Sequence, residues 1–167
     1  MNNVLFIIPA RSGSSAIKNK NIIDWKGKPL LKHSFDYLVG QNISLENICI
    51  STDSDKYIEF FQQIGINKAC ILKRPKSLAE NLVVDYPVIL HAWCNREELL
   101  KRKFEFIAIV RPTSPNRPKD IIFKGLELLN KDKELTSVRA MRKVNENPYR
   151  IWKKSNKNKY MQPLIKD

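Results

Sequence analysis

Residues Val4 to Ile22 read VLFIIPARSGSSAIKNKNI, and this stretch decides the predicted fold. It begins with an apolar run, Val4 to Ile8, typical of a strand that is buried on both faces of a parallel sheet. Small and hydroxylated residues follow Pro9, and their backbone N–H groups are open to an anion. Arg11 and Lys20 frame this loop. In an α/β protein, such a loop at the carboxyl end of the first strand is typical of phosphate binding. A basic surface turn is the alternative interpretation.

Two common nucleotide-binding motifs are excluded by the residues around Gly13. No Gly-Lys-Ser/Thr triplet follows this glycine, so the loop is not a Walker A motif. The glycine also stands alone, so the loop does not match G-x-G-x-x-G.

Composition predicts one domain, residues 1–167, because 167 residues with 43% apolar content suffice for a sizeable core. No apolar run approaches the roughly 18 residues of a membrane span, and the start lacks the pattern of a signal peptide. We therefore expect a cytoplasmic protein without a membrane partner. Cys49, Cys70 and Cys94 are odd in number and widely spaced, which favours buried thiols over disulfides or a zinc site.

The net charge of +13 has two interpretations, a nucleic-acid surface or a preference for small anionic substrates. The lysines and arginines are scattered, and aromatic residues are not interleaved with them as a base-stacking platform requires. We therefore expect a solvated, lysine-rich surface and no nucleic-acid partner.

Apolar periodicity predicts alternating helices and strands along the rest of the chain. The predicted helices cover Pro29–Gln41, Lys56–Ile64, Val84–Leu100 and Lys119–Leu129. The predicted strands cover Asn47–Thr52, Ala69–Leu72, Phe104–Val110, Leu135–Met141 and Tyr160–Ile165. This order indicates an α/β fold with a doubly wound, mostly parallel, Rossmann-like sheet, in which Phe104–Val110 is a central strand. Within Val84–Leu100, we expect Val88, Trp93 and Leu99 to be buried.

Asp53 and His91 are polar positions with more than one interpretation. Asp53 follows a predicted strand, where it either caps the next helix, the favoured interpretation, or faces a ligand at the same sheet edge. His91 lies within a predicted helix, and we expect a packed or half-exposed side chain rather than a catalytic base.

The loop after the first strand resembles the opening motif of the acylneuraminate cytidylyltransferases (CMP-sialic acid synthetases), A-R-x-G-S-K-G-[IL]-P-x-K-N-[IL]. The positions that fit are Ala10, Arg11, Gly13, Ser14, Ile17, Lys20, Asn21 and Ile22. Ser15 replaces a lysine, Ala16 a glycine and Lys18 a proline. Lys18 is a candidate to supply the missing positive charge.

Three later segments resemble the same family in the same order. The sequence RPKSLAEN is similar to R-P-x-x-L-A-x-D, with Asn81 in place of the aspartate. The sequence RPTSP, residues 111–115, is similar to Q-P-T-S-P, with Arg111 at the glutamine that faces the acidic sugar in the family. An arginine there can clamp a carboxylate bidentately, whereas a surface ion pair is the alternative. Residues 147–152 resemble N/H-P-Y-x-x-W.

The resemblance implies a nucleotide-diphospho-sugar transferase type of fold and a cytidylyltransferase. Such an enzyme joins CTP to a nine-carbon acidic sugar of the sialic, pseudaminic or legionaminic type and releases pyrophosphate. It implies Arg11 and Lys20 as catalytic residues. Implied nucleotide-binding residues are Ala10, Arg11, Gly13, Ser14, Lys20, Asn21 and Arg74. Implied sugar-binding residues are Arg111, Thr113 and Ser114.

The resemblance also implies Mg²⁺, although no carboxylate pair in this sequence is placed to bind it. Family members continue beyond the equivalent of Ile165 into a region that builds a homodimer contact and supplies metal-binding aspartates. We therefore expect this chain to be C-terminally truncated. Three alternatives stay open: an inactive or partial nucleotide-binding remnant of the family, a 3-deoxy-manno-octulosonate cytidylyltransferase, and a basic nucleic-acid-binding protein.

Overall fold

The computed structural model describes residues 3–13, 17–141, 151–154 and 161–165. The Cα positions cluster into two compact units, Met1–Ile122 and Phe123–Asp167. The single-domain assignment of residues 1–167 stays a prediction.

The elements of the chain follow in sequence order. The first unit contains β1 (Val4–Pro9), β2 (Asp24–Trp25), β3 (Lys28–Pro29), α1 (Leu30–Gly40), β4 (Ile48–Thr52), α2 (Asp55–Gln63), β5 (Ile71–Lys73), α3 (Asp85–Leu100) and β6 (Phe106–Ile109). Helix α4 (Ile121–Lys131) begins in the first unit and continues in the second. The second unit contains β7 (Trp152–Lys154) and β8 (Met161–Pro163), which pair antiparallel.

The main sheet has the strand order β5-β4-β1-β6, and all three strand pairs are parallel. The chain proceeds outward from β1 through β4 to β5 and then crosses back to β6 on the other side of β1. This reversal confirms the predicted doubly wound, Rossmann-like sheet. It also creates a topological switch point between β1 and β6, and ligands of such sheets bind outside the carboxyl ends of the strands at that point.

Strand β1 is buried on both faces, which explains its uninterrupted apolar run. Leu5 and Ile7 belong to one core cluster with Ala92, and Trp93 of α3 packs against this cluster. Phe6 alternates to the opposite face and is also fully buried. Right-handed crossovers between parallel strands place α1 on that second face, since β1 to β4 and β5 to β6 run in opposite directions across the sheet.

A buried arginine, Arg96, fixes α3 to the strand starts. Its guanidinium donates hydrogen bonds to the carbonyl oxygens of Ala69 (2.7 Å), Glu46 (2.6 Å) and Ile48 (3.3 Å). Only 4% of Arg96 is exposed. Buried carbonyl groups need hydrogen-bond donors. The Arg96 side chain supplies donors to carbonyl oxygens that lie at or just before the starts of β4 and β5.

The short hairpin β2–β3 was missed by the sequence prediction. Lys26 and Gly27 connect its strands with φ angles of 54° and 79°, the positive values of a type I′ turn. The Asp24 carboxylate accepts a hydrogen bond from the Gly27 N–H at 3.1 Å. Strands of two residues are too short for an alternating pattern to reveal them.

The predicted strand Leu135–Met141 is wrong, because the structure assigns these residues no regular secondary structure. Leu135, Val138 and Met141 are spaced by three, so no single face of a strand collects them. All three side chains are exposed. The predicted edge strand Tyr160–Ile165 is found in shorter form as β8.

Three smaller expectations also differ from the structure. Strand β6 lies at an edge of the four-stranded sheet and not at its centre. Leu99 is 67% exposed, because it lies about 100° around α3 from Leu100, which packs against the core cluster. Cys94 is exposed, whereas Cys49 and Cys70 are buried as predicted.

In the described part of the chain, no helix has the length and apolar character needed to cross a membrane.

Glu97 ties the end of α3 to the segment that enters β6. Its carboxylate accepts hydrogen bonds from the Lys103 ammonium at 2.7 Å and from the Phe104 N–H at 2.9 Å. The Lys103 hydrogen bond, followed by that of Phe104, lowers the pKa of Glu97 from its usual value near 4.5 to about 2.

We predict that Arg96→Met lowers the free energy of unfolding by roughly 3 kcal/mol or more, because three carbonyl acceptors lose their donor at once. Urea denaturation of the variant measures this change. Glu98→Met is the matched control, since Glu98 is an exposed position on the same helix. A loss no larger for Arg96→Met than for Glu98→Met would show that the guanidinium does not fix α3.

We predict that the Glu97 contacts contribute stability that is full above about pH 4.5 and is lost as pH falls towards 2. The sign follows because a pKa lowered in the folded state means that the folded protein binds the proton less readily than the unfolded chain. Glu97→Gln should therefore flatten the stability profile over this window. Denaturant midpoints from pH 2 to 7 test it, with Glu98→Gln controlling for net charge. Identical profiles for wild type and Glu97→Gln would contradict the prediction.

Candidate functional site

A cavity of about 280 Å³ lies at the carboxyl edge of the parallel sheet, where β1 and β6 end. Pro9 and Arg11 contribute from the end of β1, and Arg111 to Thr113 contribute from the end of β6. Residues between β5 and α3 line another part of the wall. The cavity therefore lies at the topological switch point of the sheet, the position that favours ligand binding in this architecture.

Most of the sequence-predicted site residues meet at this cavity. The ones that line it are Arg11, Lys20, Asn21, Arg74, Arg111 and Thr113. Ala10 is fully buried, and Gly13 and Ser114 are exposed; these three are not among the lining residues. Ser14 lies outside the described residues, as do Ser15 and Ala16.

Backbone contacts fix the start of the loop after β1. The Ala10 N–H donates to the Ser51 carbonyl at 2.8 Å, which extends the β1–β4 ladder by one residue. The Asn21 amide donates to the Arg11 carbonyl at 3.0 Å, and Asn21 is itself buried. Asn21 therefore holds the loop backbone, so that the Arg11 side chain starts from a fixed position.

Asp53 binds the same loop from the end of β4. Its carboxylate accepts hydrogen bonds from the Ser12 N–H at 2.9 Å and from the Ser12 hydroxyl at 2.7 Å. The expectation that the loop's N–H groups are open to an anion is therefore wrong for Ser12. The favoured interpretation of Asp53 as a helix cap is also wrong, because the hydroxyl of Ser54 caps α2 by accepting from the Tyr57 N–H at 3.3 Å.

The charge state of Asp53 is stabilised by these contacts. Burial raises its pKa, but the Ser12 hydrogen bonds outweigh this effect, with help from the nearby Arg74 guanidinium, and the net pKa lies below the usual value. The distance between Nη2 of Arg74 and Oδ1 of Asp53 is 3.9 Å. At neutral pH Asp53 is thus a carboxylate that anchors the loop on one side and faces Arg74 on the other.

Arg74 forms a buried, positively charged part of the cavity wall. Only 4% of the residue is exposed, and its guanidinium donates to the Ser51 hydroxyl at 3.4 Å. Burial lowers its pKa, partly opposed by Asp53, yet a guanidinium stays charged in proteins. Its buried Nε has no hydrogen-bond partner within the described structure. Arg74 therefore holds donor capacity that its protein contacts leave unused.

The Arg11 side chain reaches across the cavity to the segment that precedes α3. One guanidinium nitrogen donates to the Glu80 carbonyl oxygen at 3.2 Å. Among the lining residues, the cations are Arg11, Lys20, Arg74 and Arg111, and the carboxylates are Glu80 and Asp85. The excess of cations favours an anionic ligand.

Arg111, the candidate for a sugar carboxylate, forms an ion pair with Asp85 at the start of α3. The side chains are 48% and 52% exposed, respectively. This arrangement is the surface ion pair that the sequence left open as an alternative. The proposed role of Arg111 in sugar binding stays a prediction.

The described residues do not provide a preformed metal centre. No group of three or more His, Cys, Asp or Glu side chains in residues 3–13, 17–141, 151–154 and 161–165 is arranged to hold a metal ion. Asp53 is bound to Ser12, and Asp85 is paired with Arg111. Mg²⁺ therefore stays a prediction.

Sequence reasoning expected the Ser12 N–H to be open to an anion and foresaw neither its contact with Asp53 nor the Asp85–Arg111 pair. Ligands of doubly wound sheets bind at the carboxyl ends of the strands. Asp53 follows β4 directly, and this position was the sequence signal for a role at the site. His91 is half-buried as expected. Burial and the nearby Arg74 lower its pKa, which favours a neutral side chain rather than a charged one.

Several known proteins are similar to this chain in sequence. Residues 5–82 match the family model described as Cytidylyltransferase. The N-acylneuraminate cytidylyltransferase of Escherichia coli is 32% identical over 75% of this chain and 28% of its own length. The pseudaminic acid cytidylyltransferase of Campylobacter jejuni is 32% identical over 74% of this chain and 51% of its own length. The CMP-N,N′-diacetyllegionaminic acid synthase of Legionella pneumophila is 28% identical over 75% of this chain and 52% of its own length.

A solved structure of CMP:2-keto-3-deoxy-manno-octonic acid synthetase, complexed with CTP, is similar in fold, with a TM-score of 0.61 and 18% identity. The similarity covers 79% of this chain and 49% of that one. At this identity it supports the fold alone. The chain spans about half the length, or less, of these relatives. Residues 5–82 thus match the cytidylyltransferase family model, and these relatives extend the similarity to about three quarters of the chain.

Proposed function

We propose that the cavity at the β1–β6 switch point binds CTP. We further propose that the chain supplies this site to a cytidylyltransferase that joins CTP to a nine-carbon acidic sugar of the sialic, pseudaminic or legionaminic type. The products are the CMP-sugar and pyrophosphate. The observation that carries the proposal is the convergence of Arg11, Lys20 and Arg74 on one cavity at the sheet edge where α/β proteins bind nucleotides.

The proposed reaction requires positioning and charge neutralisation more than covalent chemistry. The anomeric hydroxyl of the sugar attacks the α-phosphorus of CTP, and the bond to the leaving pyrophosphate breaks. Negative charge develops on the leaving group, and we assign its neutralisation to Arg11 and Lys20. Asn21 and Asp53 act indirectly, since both hold the loop that carries Arg11.

We place the nucleotide against the β1 loop and Arg74, and the sugar towards the end of β6. Arg74 supports the first assignment because its buried guanidinium keeps donor capacity beside the loop. Arg111 and Thr113 support the second because they line the same cavity from β6. A ligand that bridges the two strand ends has its reacting groups held on one rigid sheet, which favours the reaction through proximity.

Mg²⁺ is the expected companion of the triphosphate. Among the described residues, no group of three or more His, Cys, Asp or Glu side chains is arranged around a metal ion, and Asp85 at the cavity is paired with Arg111. A nucleotide-binding chain without turnover of its own is therefore the second candidate function. The engagement of Asp85 by Arg111 favours this candidate. The homodimer, the cytoplasmic location and the lack of a nucleic-acid partner stay predictions.

The proposal is tested first by calorimetric titration of the chain with CTP, with and without Mg²⁺, and with ATP, GTP and UTP as competitors. Pyrophosphate release from CTP is then measured with N-acetylneuraminic, pseudaminic and N,N′-diacetyllegionaminic acids. CTP binding with pyrophosphate release supports the cytidylyltransferase, and CTP binding alone supports the second candidate. The absence of CTP binding would contradict both.

We predict that Arg11→Ala and Lys20→Ala each weaken CTP binding by roughly 1.5–3 kcal/mol, or about tenfold to 100-fold in Kd, because each removes a charge-assisted hydrogen bond to phosphate. Calorimetry on both variants measures the change. Lys56→Ala is the matched control, since it removes one exposed positive charge from α2, away from the cavity. CTP affinities equal to that of the control in both variants would remove the phosphate role from this loop.

A further inference from the structure

The guanidinium of Arg111 has one hydrogen-bonding partner in the described structure, the carboxylate of Asp85. The two residues come from different elements: Arg111 follows β6, and Asp85 is the first residue of α3. Both line the cavity. The pair therefore joins two walls of the proposed substrate site by a single side-chain contact.

The backbone of Arg111 is held independently of this ion pair. Its carbonyl oxygen accepts hydrogen bonds from the Ser34 hydroxyl at 3.3 Å and from the Arg117 guanidinium. Arg117 also donates to the Ser34 hydroxyl at 3.1 Å. Because these contacts fix the strand end, the Arg111 side chain can change partners without a movement of β6.

An exposed ion pair of this kind is weak enough to be exchanged. About half of each side chain is exposed, and such pairs typically change an equilibrium constant by a factor of up to about five. A guanidinium has five N–H donors, and a planar carboxylate can take two of them at once. A carboxylate ligand in the cavity thus offers Arg111 a replacement of the same chemistry as Asp85.

We propose that Asp85 sets the affinity of this site for the acidic sugar, because its carboxylate occupies Arg111 until the carboxylate of the sugar displaces it. The inference rests on the proposed function, because it assumes that the cavity receives such a sugar. A neutral sugar offers no charge to replace the Asp85 carboxylate, so the existing ion pair opposes its contact with Arg111. Asp85 therefore lowers the affinity for an acidic ligand by the strength of the ion pair that the ligand must break, whereas a neutral ligand that leaves the pair intact is affected less.

The displaced Asp85 carboxylate remains in a favourable position. It lies in the first turn of α3, where the helix dipole stabilises a negative charge, and it is open to water. Its displacement does not leave a buried, unpaired charge, so the exchange avoids the large cost that such a charge carries.

The test is the affinity of Asp85→Asn for the most tightly bound of N-acetylneuraminic, pseudaminic and N,N′-diacetyllegionaminic acids, without Mg²⁺ so that no turnover occurs. We expect binding of the acid to tighten about twofold to fivefold, because its competitor for Arg111 is gone. The CTP affinity should change less than twofold. The affinity for the carboxamide of the same sugar should not increase as the affinity for the acid does.

Asp55→Asn is the matched control. Asp55 is also the first residue of a helix, α2, and also forms an exposed ion pair, with Lys73 at 2.7 Å. Its substitution removes the same charge from the same kind of position outside the cavity lining, and we expect less than a 1.5-fold change for either ligand. The double variant Asp85→Asn/Arg111→Gln should lose the gain, since no guanidinium remains to be released.

Four outcomes decide against the inference. Weaker or unchanged binding of the acid by Asp85→Asn would overturn it, as would an equal gain in Asp55→Asn. An equal gain for the carboxamide would show that charge competition is not the cause. Failure of wild type and variant to bind any of the three acids, with CTP binding intact, would overturn the inference and leave the CTP site standing. Failure to bind CTP would overturn the proposed function itself.

Discussion

The pairing of β1 with both β4 and β6 is the constraint on which the rest of the structure depends. Because β1 lies between these strands, both of its faces are buried, and its sequence must be apolar from Val4 to Ile8. The same pairing reverses the strand order, and this reversal creates the topological switch point at the carboxyl ends of β1 and β6. The burial that stabilises the fold thus also determines where a ligand can bind.

Two kinds of contact between charged side chains lie around this switch point, one largely buried and one exposed. Asp53 and Arg74 are largely withdrawn from solvent, and Asp53 holds the β1 loop through Ser12. The side chains of Arg111 and Asp85 face solvent at the cavity and pair with each other. Buried contacts of the first kind favour a fixed binding surface, whereas exposed pairs of the second kind are weak and exchange partners readily. The cavity therefore combines a rigid side at the β1 loop with an adaptable side at β6.

The sequence predicted the elements with strong apolar patterns and the residues next to them. The strand Val4 to Ile8 placed Arg11 at a sheet edge, and the order of strands and helices indicated the doubly wound sheet. The pattern could not reveal the two-residue strands of the β2–β3 hairpin. It also could not foresee that Ser12 would bind Asp53, 41 residues away, because local statistics favour Asp53 as a helix cap. The Arg111–Asp85 pair joins residues 26 positions apart and depends on the packing of α3 against the main sheet, at β1 and β4.

A crystal structure of the chain with CTP tests the central claim most directly, because the claim concerns a place in the fold. The account predicts that CTP occupies the cavity between the ends of β1 and β6. Its triphosphate should lie within hydrogen-bond distance, about 2.7–3.2 Å, of the Arg11 and Lys20 side chains. CTP bound elsewhere on the chain, with this cavity empty, would contradict the account.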